Sequence, residues 1–150
     1  MKRSTRPSLF PDVNVWIALT HSGHKHHRLA VRWLSSVDDD ARLFFCRITQ
    51  LSFLRLLSQA AVMTPDEALT QTEAWQAYDL WFTDSRVAFL GEPADVEADF
   101  RRLARLNLAG PKDWADSYLT AFAQRSGLTL VTFDRGFAGR VSAQVLNTNK

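Results

Sequence analysis

Cross-linking sulfur is almost absent: the 150-residue chain has one cysteine, Cys46, so no internal disulfide can form. That residue closes the apolar run Leu43-Phe44-Phe45-Cys46, which reads as a buried thiol in a reducing compartment. Long hydrophobic runs are missing as well. No window reaches the length of a membrane span, and the basic start MKRSTRPS is not followed by the apolar stretch a secretory leader needs. The expectation is a soluble, cytoplasmic protein with no membrane partner. Neither sign of charge predominates: a formal net charge of +2 and a pI near 9.0 are compatible with a polyanion partner without requiring one. There is no internal repeat and no low-complexity segment. Ser52, Ser117 and Thr120 lack the histidine and acid neighbours of a serine nucleophile. At 46% hydrophobic, the chain suits one compact domain over 1–150 with one core, and hence one site for chemistry.

What is present is an alternation of short apolar runs with helical patterns. Leu9-Phe10 is interrupted by Pro11 and Asp12 before Val13 to Leu19 continues, which reads as a strand breaking into a helix, with Asp12 or Asn14 as the cap. The loop HSGHKHH separates this helix from a second one carrying Leu29, Ala30, Trp33, Leu34 and Val37. Leu43 to Cys46 has the character of an interior strand, and Thr49 is placed to cap a third helix with Leu51, Leu54 and Leu57 inward, leaving Ser52 and Arg55 together on another face. Thr64-Pro65-Asp66-Glu67 has the residues of a helix start, running to about Trp81. Val87 to Leu90 is a further strand, Glu92-Pro93 opens a helix, and another runs from about Asp113 to Gln124, stopped by Gly127. Strands around Val131 and from Val141 to Leu146 complete the pattern. Strands joined through helices imply an α/β fold with a mostly parallel sheet, since parallel neighbours need crossover connections.

In such sheets ligands bind beyond the carboxyl ends of the strands. Asp12 follows the first strand and Asp134 a late one, while Asp113 and Asp116 open a helix whose N-terminus can face the same rim. Converging carboxylates repel one another unless a cation sits among them, and oxygen-only ligands favour magnesium or manganese. Such an ion activates water and stabilises a phosphodiester transition state. The plainer assignment is that Asp12 and Asp113 cap helices, Asp116 supports a helix dipole and Asp134 makes an Asx-turn in DRG.

These residues carry a resemblance. FPDVNVWIAL, ITQLSFLRLL and DWADSYLTAFAQRSGLTLVTFDRGF together resemble the motifs of the PIN-domain ribonucleases, specifically the VapC-type toxins of bacterial toxin–antitoxin modules, over nearly the whole chain. By that resemblance Asp12, Asp116 and Asp134 fall on three family acid positions, with Asn14 in the first motif, Thr132 beside the last, and Asp113 as an extra acid nearby. It implies a PIN-like three-layer α/β/α sandwich, cleavage of RNA dependent on Mg2+ or Mn2+, a homodimer, and neutralisation by a cognate antitoxin. In that scheme Asp12 and Asp116 bind the ion and Asp134 orients the attacking water. One departure stands out: the family's second-motif glutamate falls near Ser52, where this chain has no acid, although Gln50 or Ser52 can supply a neutral oxygen. A catalytically impaired domain that binds RNA or a protein without turnover is the alternative this leaves open.

Other residues carry weaker signals. His21, His24, His26 and His27 lack a cysteine or acid on the same element, which favours a loop or helix start over zinc. Arg101, Arg102, Arg105, Lys112, Arg125, Arg135 and Arg140 are candidates for RNA contact or a solvated face. The aromatic stretch from Trp75 to Phe82, together with the FLRLL helix, suggests an interface for a second copy and for the antitoxin.

Overall fold

The computed structural model describes residues 6–60, 62–64, 66–105, 111–138 and 143–147, with backbone alone for 111–113. Five strands, β1 (Ser8–Pro11), β2 (Arg42–Phe45), β3 (Val87–Phe89), β4 (Thr129–Thr132) and β5 (Ala143–Val145), form one sheet in the order β3-β2-β1-β4-β5. Every pairing is parallel, so all five carboxyl ends share one rim. Side chains alternate across a strand, and here both faces are covered. Leu9, Leu43, Phe45 and Val131 face one core, and Phe10 and Leu130 the other.

Helices α1 (Val13–Thr20), α2 (His27–Ser36), α3 (Arg47–Leu57) and α4 (Gln71–Trp81) supply the first core. Its centre is aromatic: Phe45 stacks on Trp16 at 4.1 Å between centroids and meets Tyr78 edge-on at 4.9 Å. The second core is built by α5 (Val96–Leu103) and α6 (Pro111–Ser126), where Phe122 stacks on Phe10 at 5.1 Å. The result is the expected three-layer α/β/α sandwich. Among the described residues no helix is long and apolar enough to cross a membrane.

Four local expectations differ from what is observed, the simplest being that Glu92-Pro93 does not open α5, which starts at Val96 after Asp95. Thr49 is the third helical residue of α3, not its cap: Cys46 is the N-cap, and the Thr49 hydroxyl accepts its backbone N–H at 2.9 Å. The inward side of that helix is Thr49, Gln50, Phe53 and Leu57, while Leu51 is 61% exposed. The fourth helix does not start at Thr64. That segment closes only a turn, with the Glu67 N–H on the Thr64 carbonyl, and the Leu69 N–H is then drawn onto the Leu57 carbonyl of α3. The helix begins instead after Thr70, whose hydroxyl and the Glu73 carboxylate form a reciprocal capping box. Its expected proline, Pro65, lies outside the described residues.

Candidate active site

Asp12 and Asp134 follow adjacent strands, β1 and β4, whose last partners are Pro11 and Val131. Pro11 closes its strand, and the Asp12 N–H extends the ladder by one bond to the Val131 carbonyl at 2.8 Å. The Asp12 side chain then does two things. Oδ1 caps α1 by accepting the Val13 N–H at 2.7 Å, and Oδ2 accepts the Thr132 hydroxyl at 3.0 Å. The capping role expected from sequence is therefore real, and it occupies only half of the carboxylate.

Thr132, fully buried, is the hub of this rim. Besides donating to Asp12, its hydroxyl accepts the Asp134 backbone N–H at 3.0 Å and the Asn14 side-chain amide at 3.3 Å. One donor and two acceptor positions exhaust what a hydroxyl can offer. The Asn14 carbonyl in turn accepts the Phe133 N–H at 3.4 Å. Asp134 forms the expected Asx-turn, its Oδ1 accepting the Gly136 N–H at 2.8 Å. A side chain at Gly136 would stand 3.1 Å from that oxygen, so glycine leaves the carboxylate its room.

Asp116 enters from α6, partly exposed, and interacts with Asp12 through charge. Burial pushes the Asp12 carboxyl above the ordinary aspartate range, the bonds from Thr132 and Val13 pull it down, and the negative charges of Asp116 and Asp134 push it up again. Sequence thus placed Asp12, Asp116, Asp134, Asn14 and Thr132, and the structure brings all five to one rim. Asp113 belongs to α6, but its side chain lies outside the described residues.

A family model described as the PIN domain matches residues 9–140. The chain belongs to the PIN-domain family. Within it this PIN domain stands beside the VapC proteins. It is 42% identical to ribonuclease VapC41 of Mycobacterium tuberculosis over 132 residues, which is 86% of this chain and 90% of that protein. Identity to ribonuclease VapC39 of the same organism is 31% over 138 residues, 88% of this chain and 92% of the relative. Among solved structures, VapC20 of M. tuberculosis, a sarcin-ricin loop cleaving toxin, superposes with a TM-score of 0.64 at 19% identity, covering 89% of this chain and 97% of its own. VapBC-1 of nontypeable Haemophilus influenzae gives 0.65 at 14%, covering 93% and 98%. At those identities the two structures speak to fold alone.

The neutral part of the PIN-domain rim differs from the expectation. Ser52 is half-buried on α3 and its hydroxyl takes no hydrogen bond among the described residues, whereas Gln50 is buried and its Oε1 accepts from Arg47 at 2.6 Å. Arg47, which sequence reading passed over, also lays its guanidinium on the Phe89 ring at 4.7 Å. The only signal for it was its place two residues past the end of β2, at the carboxyl rim. Three of the suggested RNA-binding arginines are engaged elsewhere: Arg101 pairs with Glu97 at 3.0 Å, and Arg125 and Arg102 pair with Asp99 at 2.6 Å and 3.7 Å. Arg135 is exposed beside Asp134, and Lys112 and Arg140 lie outside the described side chains. The histidine loop is more ordered than a solvated one: His27 Nδ1 lies 2.7 Å from the Ala18 carbonyl, and His24 Nδ1 accepts the His26 N–H at 3.0 Å.

Among the described residues no group of three or more His, Cys, Asp and Glu side chains is arranged to hold a metal ion. The rim nonetheless fits a hard cation. Magnesium is held by one or two carboxylates with water completing its shell, and a buried carboxyl pressed by two other acids is relieved by positive charge. The hub itself is testable: Thr132→Val leaves Asp12 Oδ2, the Asp134 N–H and the Asn14 amide without their shared partner. We expect a loss of about 2 kcal/mol in urea denaturation, and a loss under about 0.5 kcal/mol would mean that these groups find other partners.

Proposed function

We propose that this PIN domain, a single unit over 1–150, is the toxin ribonuclease of a toxin–antitoxin module. It hydrolyses RNA phosphodiester bonds in the cytoplasm with Mg2+ or Mn2+. The observation that carries the reading is the buried Asp12 carboxylate, held by Thr132 and crowded by Asp116 and Asp134. Asp12 and Asp116 hold the ion, and Asp113 supports them from the start of α6. When bound, the cation supplies the positive charge that stabilises the phosphodiester transition state. Asp134, fixed through its backbone N–H and its own turn, orients the attacking water and accepts its proton. Asn14 and Thr132 keep the two strand ends in register so that these carboxylates face one phosphate. The test is cleavage of a total-RNA pool with and without added manganese, the parent against an Asp12 variant.

Ser52 supports a second reading, a PIN domain that binds RNA or protein without turnover, because the rim then has one charge fewer than the family pattern. Ser52→Glu separates the two. If Ser52 faces the acids, the variant folds and binds Mn2+ tighter by on the order of tenfold in calorimetric titration. Unchanged or weaker affinity in a folded variant would place Ser52 outside the second acid position.

The partner reading rests on a groove of about 540 Å³ between α3 and α4. Leu51, Leu54, Ala74 and Trp75 line it, with Leu51 61% and Trp75 47% exposed. We assign the cognate antitoxin to this groove, and a homodimer to the surface around it. Solved relatives of the fold include VapBC assemblies, among them one from Rickettsia felis bound to a promoter DNA fragment. Light scattering should show a dimer at micromolar concentration and a mass shift with the product of the neighbouring reading frame; a monomer that ignores that product would count against both assignments.

A further inference from the structure

The histidine loop touches the carboxylate rim through one residue. The His26 ring lies against Phe133, with centroids 5.1 Å apart and planes inclined by 34°. Phe133 is the residue between Thr132 and Asp134, and its N–H is bound by Asn14, so the ring under His26 belongs to the same hydrogen-bonded frame as the acids. The rest of the loop is committed to holding this position. His27 reaches the Ala18 carbonyl, His21 pairs with Glu67 at 3.5 Å, and His24 accepts the His26 backbone N–H. The His24 ring also flanks His26, with centroids 5.7 Å apart. Two rings thus flank His26, while among the described residues its own ring nitrogens take no hydrogen bond. A half-buried imidazole with uncommitted ring nitrogens, resting on the residue between Thr132 and Asp134, is arranged to donate to something that arrives from solvent.

We propose that His26 is an RNA-contacting residue of the proposed nuclease site, its ring N–H donating to a phosphate oxygen of the strand next to the scissile phosphate. The inference rests on the ribonuclease reading above and gives it a substrate contact outside the acids. A phosphate is the favoured partner because the ring is flanked by Phe133 and His24 while its nitrogens are uncommitted among the described residues, and because a polyanion lying along the carboxylate rim needs donors to offset the repulsion. Such a contact is made in the bound and transition states alike, so it acts on binding and leaves the chemical step alone.

The informative variant is His26→Phe, which keeps a ring on Phe133 and removes both nitrogens. Two measurements are made on the full chain: steady-state cleavage in manganese, and fluorescence anisotropy with a labelled single-stranded RNA of mixed sequence. We expect KM to rise and RNA affinity to fall by about tenfold, with kcat within about twofold of the parent. His26→Gln, which retains a donor, should recover part of the affinity. If the parent cleaves RNA and His26→Phe leaves KM and affinity within about twofold, the contact is wrong and the nuclease reading stands. If the parent binds RNA without cleaving it and His26→Phe still weakens binding about tenfold, the contact stands and the nuclease reading fails. A parent that neither binds nor cleaves overturns both, and a kcat loss with unchanged affinity overturns the contact. Thermal melting of each variant accompanies these measurements, and if His26→Phe does not fold, the affinity of His26→Gln against the parent decides, with equality to a His26→Ala control overturning the proposal.

Discussion

Asp12→Asn should abolish RNA cleavage, by on the order of a thousandfold or more, and at the same time spare the metal-free protein the stability it loses between acid and neutral pH. The two effects share one cause. The Asp12 carboxyl is raised by burial first, and Asp116 and Asp134 add to the penalty on its charge. A carboxyl whose pKa is higher folded than unfolded binds more protons in the native state, so stability declines as pH rises from the ordinary aspartate range through the raised value. Asparagine imitates the protonated acid in shape, and its one acceptor oxygen remains an adequate cap for α1, although its amide nitrogen cannot accept the Thr132 hydroxyl. It escapes that decline but cannot hold a cation. Melting the parent and the variant in chelator from acid to neutral pH should therefore show the variant gaining ground as pH rises, and adding manganese should restore stability to the parent alone. A folded variant that cleaves within about tenfold of the parent rate under nuclease-free controls would remove Asp12 from the chemistry. A parent that becomes more stable through that pH interval in chelator would show that its carboxylate is not strained.

Phe45→Ala should cost about 3–5 kcal/mol, a large part of the total for a domain of this size, because the ring joins three helices to the sheet. Fully buried at the end of β2, it stacks on Trp16 of α1, meets Phe53 of α3 and Tyr78 of α4, and lies parallel to Phe82 at 6.0 Å. Neighbours this large cannot all move inward, so most of the cavity persists. The damage should reach the site, because α1 starts at Asp12 and its packing sets the direction of that carboxylate. Urea denaturation gives the magnitude, and a loss below about 1.5 kcal/mol would mean that the aromatic cluster repacks around the gap.

Local chemistry was enough to see the alternation of strands and helices, because short apolar runs differ in length and flanking residues from amphipathic ones. It also showed that Asp12 and Asp134 lie just past strands, and that α6 carries acids at its start. These are properties of contiguous stretches, and the motif strings carrying the family resemblance are contiguous too. What local chemistry misjudged was rotation and start. In ITQLSFLRLL apolar residues surround most of the helix, so periodicity alone does not choose between Leu51 and Phe53; the shape of the aromatic core chose Phe53, and left Leu51 on the groove wall. At Thr64 the residues suit a helix start, yet the backbone bond from Leu69 to α3 holds that segment as a turn.

The sequence by itself determined an α/β chain with acids at its strand ends, no internal disulfide and no apolar run as long as a membrane-spanning helix. Only the tertiary structure decided that β1 lies between β2 and β4, and the site depends on that order. It brings Thr132 within 3.0 Å of Asp12, 120 residues away along the chain, and sets His26 on Phe133. The physical reason is that strand order and register follow from which distant apolar faces bury each other most completely, a competition among long-range pairings that local residue preferences do not encode.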